Sequence, residues 1–462
     1  MSKEQQQYQK LVLTPVRQLI PRLAVPTILS MMITMIYNLV DAYFVGRLGT
    51  SASAAIGVVL GVQSIFQAFG FMMGHGSGSQ ISVRLGEGDK DAADRLFSTA
   101  FFHALAISVI VGIAGMIWLE PLMRLMGSTD TILPFSKTYG FYILISGPAL
   151  VGSCVLNNVM RYEGRAVLAM VGLVSGGVLN MIGDPILMFG LGLGIDGAGL
   201  STAISQYISF GILLYMVFSK RTISRISPKF RSNDPAVTLT IMRVGFPSLI
   251  RQMLNSVSTI TLNHAAMPYG DAAIAAMAIV GRVATFINSA MIGLGQGFQP
   301  VSAYNYGAHK YKRLRESFFF TFRTGMVFLG VLAFLGFLFP GQIVGLFRDD
   351  PVVVEIGAKA LRFQCISVLM QPFSVTTNMM FQSIGHSKVA SFLAMLRSGL
   401  YYIPCLLVLP LFLGLTGIQS AQMVADILTT LTCIPFVVRF MRELPAEDEV
   451  SEIDRLYGYG DR

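Results

Sequence analysis

Long apolar stretches alternate with short polar ones along almost the whole chain. A helix that crosses a membrane needs about 20 apolar residues, and by that measure the pattern predicts about twelve such helices. Their expected limits are 19–45, 53–82, 97–118, 133–156, 166–190, 198–219, 240–266, 273–302, 317–339, 356–381, 388–412 and 417–440. The fold class that this pattern indicates is an all-α polytopic membrane protein without a sizeable soluble domain.

The second half of the chain repeats the pattern of the first. RLAVP, ending at Pro26, returns as RVGFP, ending at Pro247, which defines a constant shift between the two halves. The same shift pairs residues that apolar composition alone would not align, namely Gly49 with Gly270, Gly74 with Gly295, Gly76 with Gly297, Asn157 with Asn378 and Gly164 with Gly385. The chain is therefore predicted to be a duplication, with two six-helix bundles. Since six crossings return to the same side, the pseudo-twofold axis is expected along the membrane normal.

The longest interior loop lies near the middle of the chain and separates the two expected lobes. It is basic and contains Pro228 and Pro235, as linkers often do. We therefore predict an N-terminal lobe over 1–219, a cytoplasmic linker over 220–239, a C-terminal lobe over 240–441 and a polar cytoplasmic tail over 442–462. We expect the tail to be loosely attached.

Composition and charge place the chain in a membrane and orient it there. It is 53% hydrophobic and only 13% charged, and a soluble chain carries roughly twice that charged fraction. The net charge of +9 comes from basic residues in alternate short loops, such as 84–95, 220–231 and 310–315. By the positive-inside rule both termini face the cytoplasm, which places the chain in the cytoplasmic (inner) membrane among lipids. Basic residues scattered in this way do not indicate nucleic acid.

One carboxylate lies inside the first apolar stretch. Asp41 in the middle of a membrane costs roughly 2.5–3.5 kcal/mol, so it is expected to face protein or water and to be functional. Tyr37 precedes it by one helical turn and shares its face. Pro26, further back, permits the helix to bend as a hinge. An Asp at a helix end that reaches the headgroups is the alternative, but apolar sequence continues to Val45.

A second polar group is predicted in helices five and six. Asn180 and Asp184 are four residues apart and share a helix face, and Thr202 follows the turn GIDGAG. Together with Asp41 they would gather oxygen ligands in a dry interior. Neighbouring carboxylates there tend to share a proton, and hard cations such as Na+ prefer the same oxygen ligands. A hydrogen-bond network that only braces the bundle is the structural alternative.

The duplicated half lacks these polar groups. Under the same shift, the four positions hold apolar, aromatic or sulfur-containing side chains, namely Leu262, Tyr401, Cys405 and Met423. Packing of the repeat therefore does not require the polar set, which favours a functional role. We find no nucleophile–base motif, phosphate-binding loop or metal-spaced His/Cys cluster in the sequence, so we expect neither an enzyme nor a cofactor beyond the coupling ion.

Twelve helices in two halves, VPTILSMMITMIYNLVDAYFVGRLG in helix one, and NMIGDP with Thr202 resemble the multidrug and toxic compound extrusion (MATE) transporters. The likeness covers residues 15–440 and extends to the branch related to the DNA-damage-inducible F proteins, within the wider flippase superfamily. It implies a V-shaped pair of lobes and efflux of small cationic or amphipathic organic compounds against H+ or Na+. It assigns the ion site to Asp41, Asn180, Asp184 and Thr202, and the substrate cavity to Tyr37, Tyr139 and Asn157. We expect a monomer.

Other transporter classes fit the same helix count. A lipid-linked oligosaccharide flippase of the same superfamily tends to line its cavity with arginine, and Arg251 with Arg282 keeps that reading open. The sequence lacks the basic loop after helix two that is typical of the major facilitators. It also departs from the branch of MATE proteins with acids in helices seven and ten, since Asn255 and Gln371 stand in those regions.

Overall fold

The computed structural model describes residues 2–450 and 452–457, and this part of the chain is helical nearly throughout. The α-helices are α1 (Lys3–Tyr8), α2 (Val16–Gly46), α3 (Thr50–Glu87), α4 (Lys90–Ile117), α5 (Leu119–Leu125), α6 (Leu133–Tyr162), α7 (Ala166–Pro185), α8 (Ile195–Phe218), α9 (Pro235–Ala266), α10 (Asp271–Gly307), α11 (Tyr311–Leu338), α12 (Pro340–Gly345), α13 (Pro351–Ser383), α14 (Ser387–Met395), α15 (Tyr402–Leu413), α16 (Leu415–Glu443) and α17 (Glu452–Tyr457).

Each of the twelve predicted crossings coincides with a long helix, which confirms the expected fold class. The eleventh crossing consists of α14 and α15, joined by a wider π-helical turn, Leu396–Leu400. Within the described residues, ten of the crossings are long and apolar enough to span a bilayer, and α9 and α13 are less apolar. The prediction missed α5 and α12 because each is too short to appear as an apolar stretch.

The repeat is visible in the backbone as well as in the sequence. Gly49 and Gly270 precede equivalent helices with φ of +116° and +88°, and Gly164 and Gly385 follow equivalent helices with φ of +78° and +83°. A side chain would strain the backbone in this region. The matched glycines therefore mark the same positions of positive φ in both halves.

The chain forms two compact units, and the first long helix of each half is divided between them. The first unit contains the chain up to Tyr8 and Leu29–Gly245, and the second contains Gln9–Ile28 and the chain from Phe246 onward. The boundaries thus fall inside α2 and α9, close to Pro26 and Pro247. The segment 220–239 belongs to the first unit.

Glycines make room for these exchanged segments. In the first unit, a Cβ on Gly76 of α3 would lie 2.0 Å from the carbonyl oxygen of Ile241 in α9. In the second unit, a Cβ on Gly297 of α10 would lie 2.6 Å from the backbone of Ala24 in α2. Gly76 and Gly297 are repeat partners, so the same close helix packing occurs once in each unit. Helix backbones in membranes approach this closely only through small residues.

The basic segment after α8 is fixed to the first unit by buried carboxylates. Glu163 accepts backbone N–H groups from Ile223 and Ser224 at 2.9 and 2.8 Å, and Asp94 accepts that of Arg225 at 2.7 Å. Each bond pairs a backbone donor that would otherwise need water. The segment is thereby held in place although it contains almost no regular structure.

The C-terminal tail is more firmly held than the sequence suggests. Buried Asp454 of α17 accepts a hydrogen bond from the ammonium of Lys310 at 2.7 Å, and Asp448 accepts the backbone N–H of Lys312 at 2.8 Å. The expectation of a loose tail is wrong for these residues, because their carboxylates meet the basic turn between α10 and α11. Residues 451 and 458–462 of the tail lie outside the described part of the chain.

We expect Gly76→Ala to destabilise the protein by about 1–3 kcal/mol, the usual effect of overpacking, because its new methyl group collides with backbone. Gly57→Ala in the same helix is the matched control, since a Cβ there meets nothing within 4 Å. It should leave stability unchanged or raise it by up to about 1 kcal/mol. The unfolding temperature of the purified protein in detergent measures both. Equal temperatures for the two variants would contradict the role given to Gly76.

Candidate ion-binding site

Two carboxyl groups face each other inside the first unit. Asp41 comes from α2 and Asp184 from the last turn of α7, and the two lie within hydrogen-bonding reach of each other. Asp184 is fully buried and Asp41 is half-buried. The buried oxygens Asp41 Oδ1 and Asp184 Oδ2 receive no hydrogen bond from any described residue. Two charged carboxylates this close repel each other, so the pair is suited to sharing a proton or a cation.

An amide and two hydroxyl groups surround the acid pair. The Asn180 amide nitrogen lies 3.2 Å from Asp184 Oδ1 and 3.3 Å from the hydroxyl oxygens of both Ser201 and Thr202. The Ser201 hydroxyl also interacts with Asp184. All four side chains are buried. The structure therefore brings together the four predicted ion-site residues and adds a fifth.

The sequence did not predict Ser201 as a site residue. It adjoins Thr202, so the pair of hydroxyl residues was a weak signal, but consecutive residues on a helix point in directions about 100° apart. Only the packing of α7 against α8 shows that both hydroxyls reach Asn180. Gly183 permits that packing, since a Cβ there would lie 2.5 Å from the Ser201 hydroxyl.

The local sequence explains how α7 presents Asp184. Pro185 has no N–H to continue the helical ladder, and the chain passes directly into a π-helical turn, Ile186–Gly190. π-Turns are common at functional sites because they free backbone groups and redirect side chains. Asp184 thus lies at the last ordinary turn of α7.

Two tyrosines border the acid pair. Tyr139 of α6 is buried, and its hydroxyl is within reach of the Thr202 hydroxyl and within electrostatic range of both acids. Tyr37 of α2 is half-buried, and its ring contacts the backbone of α7, where a Cβ on Gly177 would lie 3.2 Å away. Both predicted cavity tyrosines therefore lie beside the candidate ion site.

Asn157 has a different environment. Its amide nitrogen donates to the carbonyl oxygen of Ala169 at 2.8 Å, and its repeat partner Asn378 donates to that of Ala390 at 2.7 Å. The two acceptors are repeat partners as well. A hydrogen bond present in both halves braces α6 against α7 and α13 against α14. The cavity role that the resemblance gives Asn157 stays a prediction.

The donor set of the site fits a small ion. Two carboxyls and two hydroxyls offer oxygen atoms, the type of ligand that hard cations bind, and the Asn180 amide, whose nitrogen points to them, also carries an oxygen. Among the described residues, no group of three or more His, Cys, Asp or Glu could hold a metal ion. The site therefore does not resemble a transition-metal centre, whereas a proton or Na+ suits its chemistry.

The repeat and the packing place the chain in a known family. The family model named MatE matches residues 26–186 and again residues 247–407. Both the starts and the ends of these matches are related by the shift of the internal repeat. The chain belongs to the MatE family.

Curated relatives and solved structures agree with this assignment. The multidrug export protein MepA of Staphylococcus saprophyticus is 28% identical over 432 residues, which is 93% of this chain and 95% of that protein. MepA of Staphylococcus haemolyticus is 27% identical over 434 residues, or 93% and 95% of the two chains. These relatives are named as transport proteins rather than enzymes.

A structure described as MATE in the straight conformation superimposes with a TM-score of 0.90 at 25% identity, covering 96% of this chain and 99% of the other. An outward-facing multidrug resistance MATE transporter of the MOP superfamily gives a TM-score of 0.87 at 26% identity, with coverage of 96% and 99%. The predicted resemblance to MATE transporters is thereby confirmed, whereas its branch within the family stays a prediction.

Proposed function

We propose that this MatE protein is a secondary antiporter that exports cationic or amphipathic organic compounds in exchange for H+ or Na+. The observation that carries the proposal is the pair of facing carboxyls, Asp41 and Asp184, with buried oxygens that receive no hydrogen bond. A membrane protein keeps such a pair only at a cost, and intramembrane acids commonly mark ion pathways.

The names of the relatives support the proposal that this protein exports organic compounds. Proteins named multidrug export proteins match this chain over 93% of its length. Half-buried Tyr37 offers an aromatic face beside two acids, with buried Tyr139 next to them, and an aromatic face near acids attracts organic cations by cation–π and charge interactions. We assign the substrate cavity to these tyrosines together with Asn157.

Coupling follows if ion and substrate compete for the same helices. A cation between Asp41 and Asp184 draws α2 toward α7, and Pro26 gives α2 a place to bend. This movement narrows the space beside Tyr37 and weakens substrate binding. Linkage makes the effect reciprocal, so substrate must lower the cation affinity by the same factor. To shift the ratio of the two conformations from 1:99 to 99:1, the cation must bind one of them more tightly than the other by about 5.5 kcal/mol.

The basic loops indicate the membrane and the orientation. Positive charges on alternate loops favour insertion in the cytoplasmic membrane with both termini inside. The protein acts as a monomer. It has one ion site, since the second half holds Leu262 and Cys405 where the first half holds acids.

We expect Asp41→Asn to abolish coupled efflux in inverted vesicles while leaving the protein folded and inserted. The amide keeps the shape of the side chain but can neither titrate nor carry charge. Dye efflux that responds to an imposed H+ or Na+ gradient is the measurement. The matched control is Asp196→Asn, an exposed acid at the start of α8, which should transport at the wild-type rate. Wild-type efflux from inserted Asp41→Asn protein contradicts the proposal.

Cys405→Ala tests whether coupling belongs to one half only. Cys405 is the repeat partner of Asp184, and its loss should change efflux little at matched expression. A defect as deep as that of Asp184→Asn would show that the second half shares the coupling chemistry.

We expect Ser201→Ala to weaken ion coupling less than Asp184→Asn does. Loss of one neutral ligand should cost about 1–3 kcal/mol, or about 5- to 150-fold in ion affinity. The concentration of Na+ or H+ that gives half-maximal efflux measures this change. An unchanged half-maximal concentration would remove Ser201 from the site.

Substrate affinity should fall as pH falls or as Na+ is added, because protonated or cation-bound carboxyls favour the narrowed cavity. Equilibrium binding of a fluorescent organic cation between about pH 5 and pH 8, with and without Na+, measures this. Asp184→Asn should remove most of the dependence. Wild-type affinity that is constant under all these conditions would exclude the competition.

A further inference from the structure

The second unit contains a cavity whose chemistry is opposite to that of the acid site. It has a volume of about 320 Å³ and lies among α9, α10, α13, α14 and α16. Two arginines line it, and no described carboxylate does. Its other polar lining residues carry hydroxyls or amides, and the amides are Asn255, Asn288, Gln364, Gln371, Asn378, Gln419 and Gln422. A cavity of this size falls within the range of small-molecule sites.

Each lining arginine is held in position by neighbouring side chains. Arg397 forms an ion pair with Asp426 of α16 at 2.9 Å, and fully buried Asp426 also accepts hydrogen bonds from Gln422 at 3.0 Å and from Ser367. The carboxylate of Asp426 is therefore occupied behind the cavity wall. It is not among the groups that line the cavity.

Arg251 of α9 is oriented by neutral groups. Its guanidinium donates to the Asn378 side-chain oxygen at 3.0 Å and to the Ser248 hydroxyl at 3.1 Å. A guanidinium carries five N–H donors in a planar fork, and it can bind an oxyanion through two parallel hydrogen bonds. A cation entering the cavity would instead meet Arg251 and the ion-paired Arg397, with no carboxylate among the lining side chains.

One amide in the cavity wall lacks hydrogen-bond partners. Gln371 of α13 is 0% exposed, and neither its amide nitrogen nor its amide oxygen finds a partner among the described residues. A buried polar group left in this state costs about 1–3 kcal/mol. Its position at the cavity wall indicates a polar ligand that satisfies it.

We propose that this cavity binds the carboxylate end of an amphipathic organic compound, with Arg251 as the charged donor and the Gln371 amide as a second donor. Met277, Val280, Ile292 and Leu393 supply apolar wall for the rest of the molecule. This inference goes beyond the proposed antiport of cations, because it gives the second unit a ligand of opposite charge. Zwitterionic and anionic compounds then have a place in the protein that the acid site would repel.

The test compares a xanthene dye carrying a free carboxylate with the methyl ester of the same dye. Binding to purified protein in detergent is followed by fluorescence anisotropy without any ion gradient, so the result does not depend on coupled transport. We expect the wild type to bind the carboxylate dye at least about tenfold more tightly than the ester, the order of one charge-assisted hydrogen bond.

Arg251→Met should remove that preference, and Arg251→Lys should restore part of it through its charge. Gln371→Leu should weaken the carboxylate dye severalfold and the ester less. The matched control is Arg439→Met, since Arg439 of α16 lies outside the cavity and is 82% exposed, and it should bind both dyes as the wild type does.

Three results would overturn the proposal. The wild type could bind ester and carboxylate equally, or Arg251→Met could weaken both dyes to the same degree. Anionic phospholipid could also displace the dye where benzoate does not, and the cavity would then be a lipid headgroup site. Failure of ion-coupled efflux in the vesicle assay would affect none of these readings.

Discussion

The close approach of helix backbones at Gly76 and Gly297 is the constraint on which the rest of the structure depends. Lipid tails are as apolar as leucine, so helices in a bilayer associate through close packing of small residues rather than by expelling water. At these two glycines, α3 receives the start of α9 and α10 receives the start of α2. The remainder of α2 then carries Tyr37 and Asp41 into the first unit. The acid site thus depends on packing contacts between backbones, in which no polar side chain takes part.

One backbone plan supports two different polar interiors. The first unit holds facing acids with amide and hydroxyl ligands, and the second holds guanidinium groups with amides. Bracing contacts such as those of Asn157 and Asn378 are the same in both units. The duplication therefore preserved what the helices need to pack and left the polar interior free to change.

Much of this arrangement follows from the sequence. Membrane thickness sets the length of apolar stretches, so the twelve crossings were predictable. The spacing of Asn180 and Asp184 predicted that both side chains lie on one face of a helix. The repeat showed that packing does not require the acids, because their partner positions hold Leu262 and Cys405. The exchange of helix starts could not be predicted, since residues 9–28 carry no sign of which unit they join. Ser201 and the lack of partners for Gln371 likewise depend on side chains that meet only after folding.

The exchange of helix starts also bears on how such a chain could arise. A single copy of the repeat would lack the segment that fills the groove beside its own Gly76 or Gly297, and its own helix start would have no groove to occupy. Two separate copies complete each other by trading these segments, as in a domain-swapped dimer. Gene fusion then makes a mutual dependence between two molecules permanent within one chain. Each half of the chain therefore relies on the other for the helix start that packs beside its glycine.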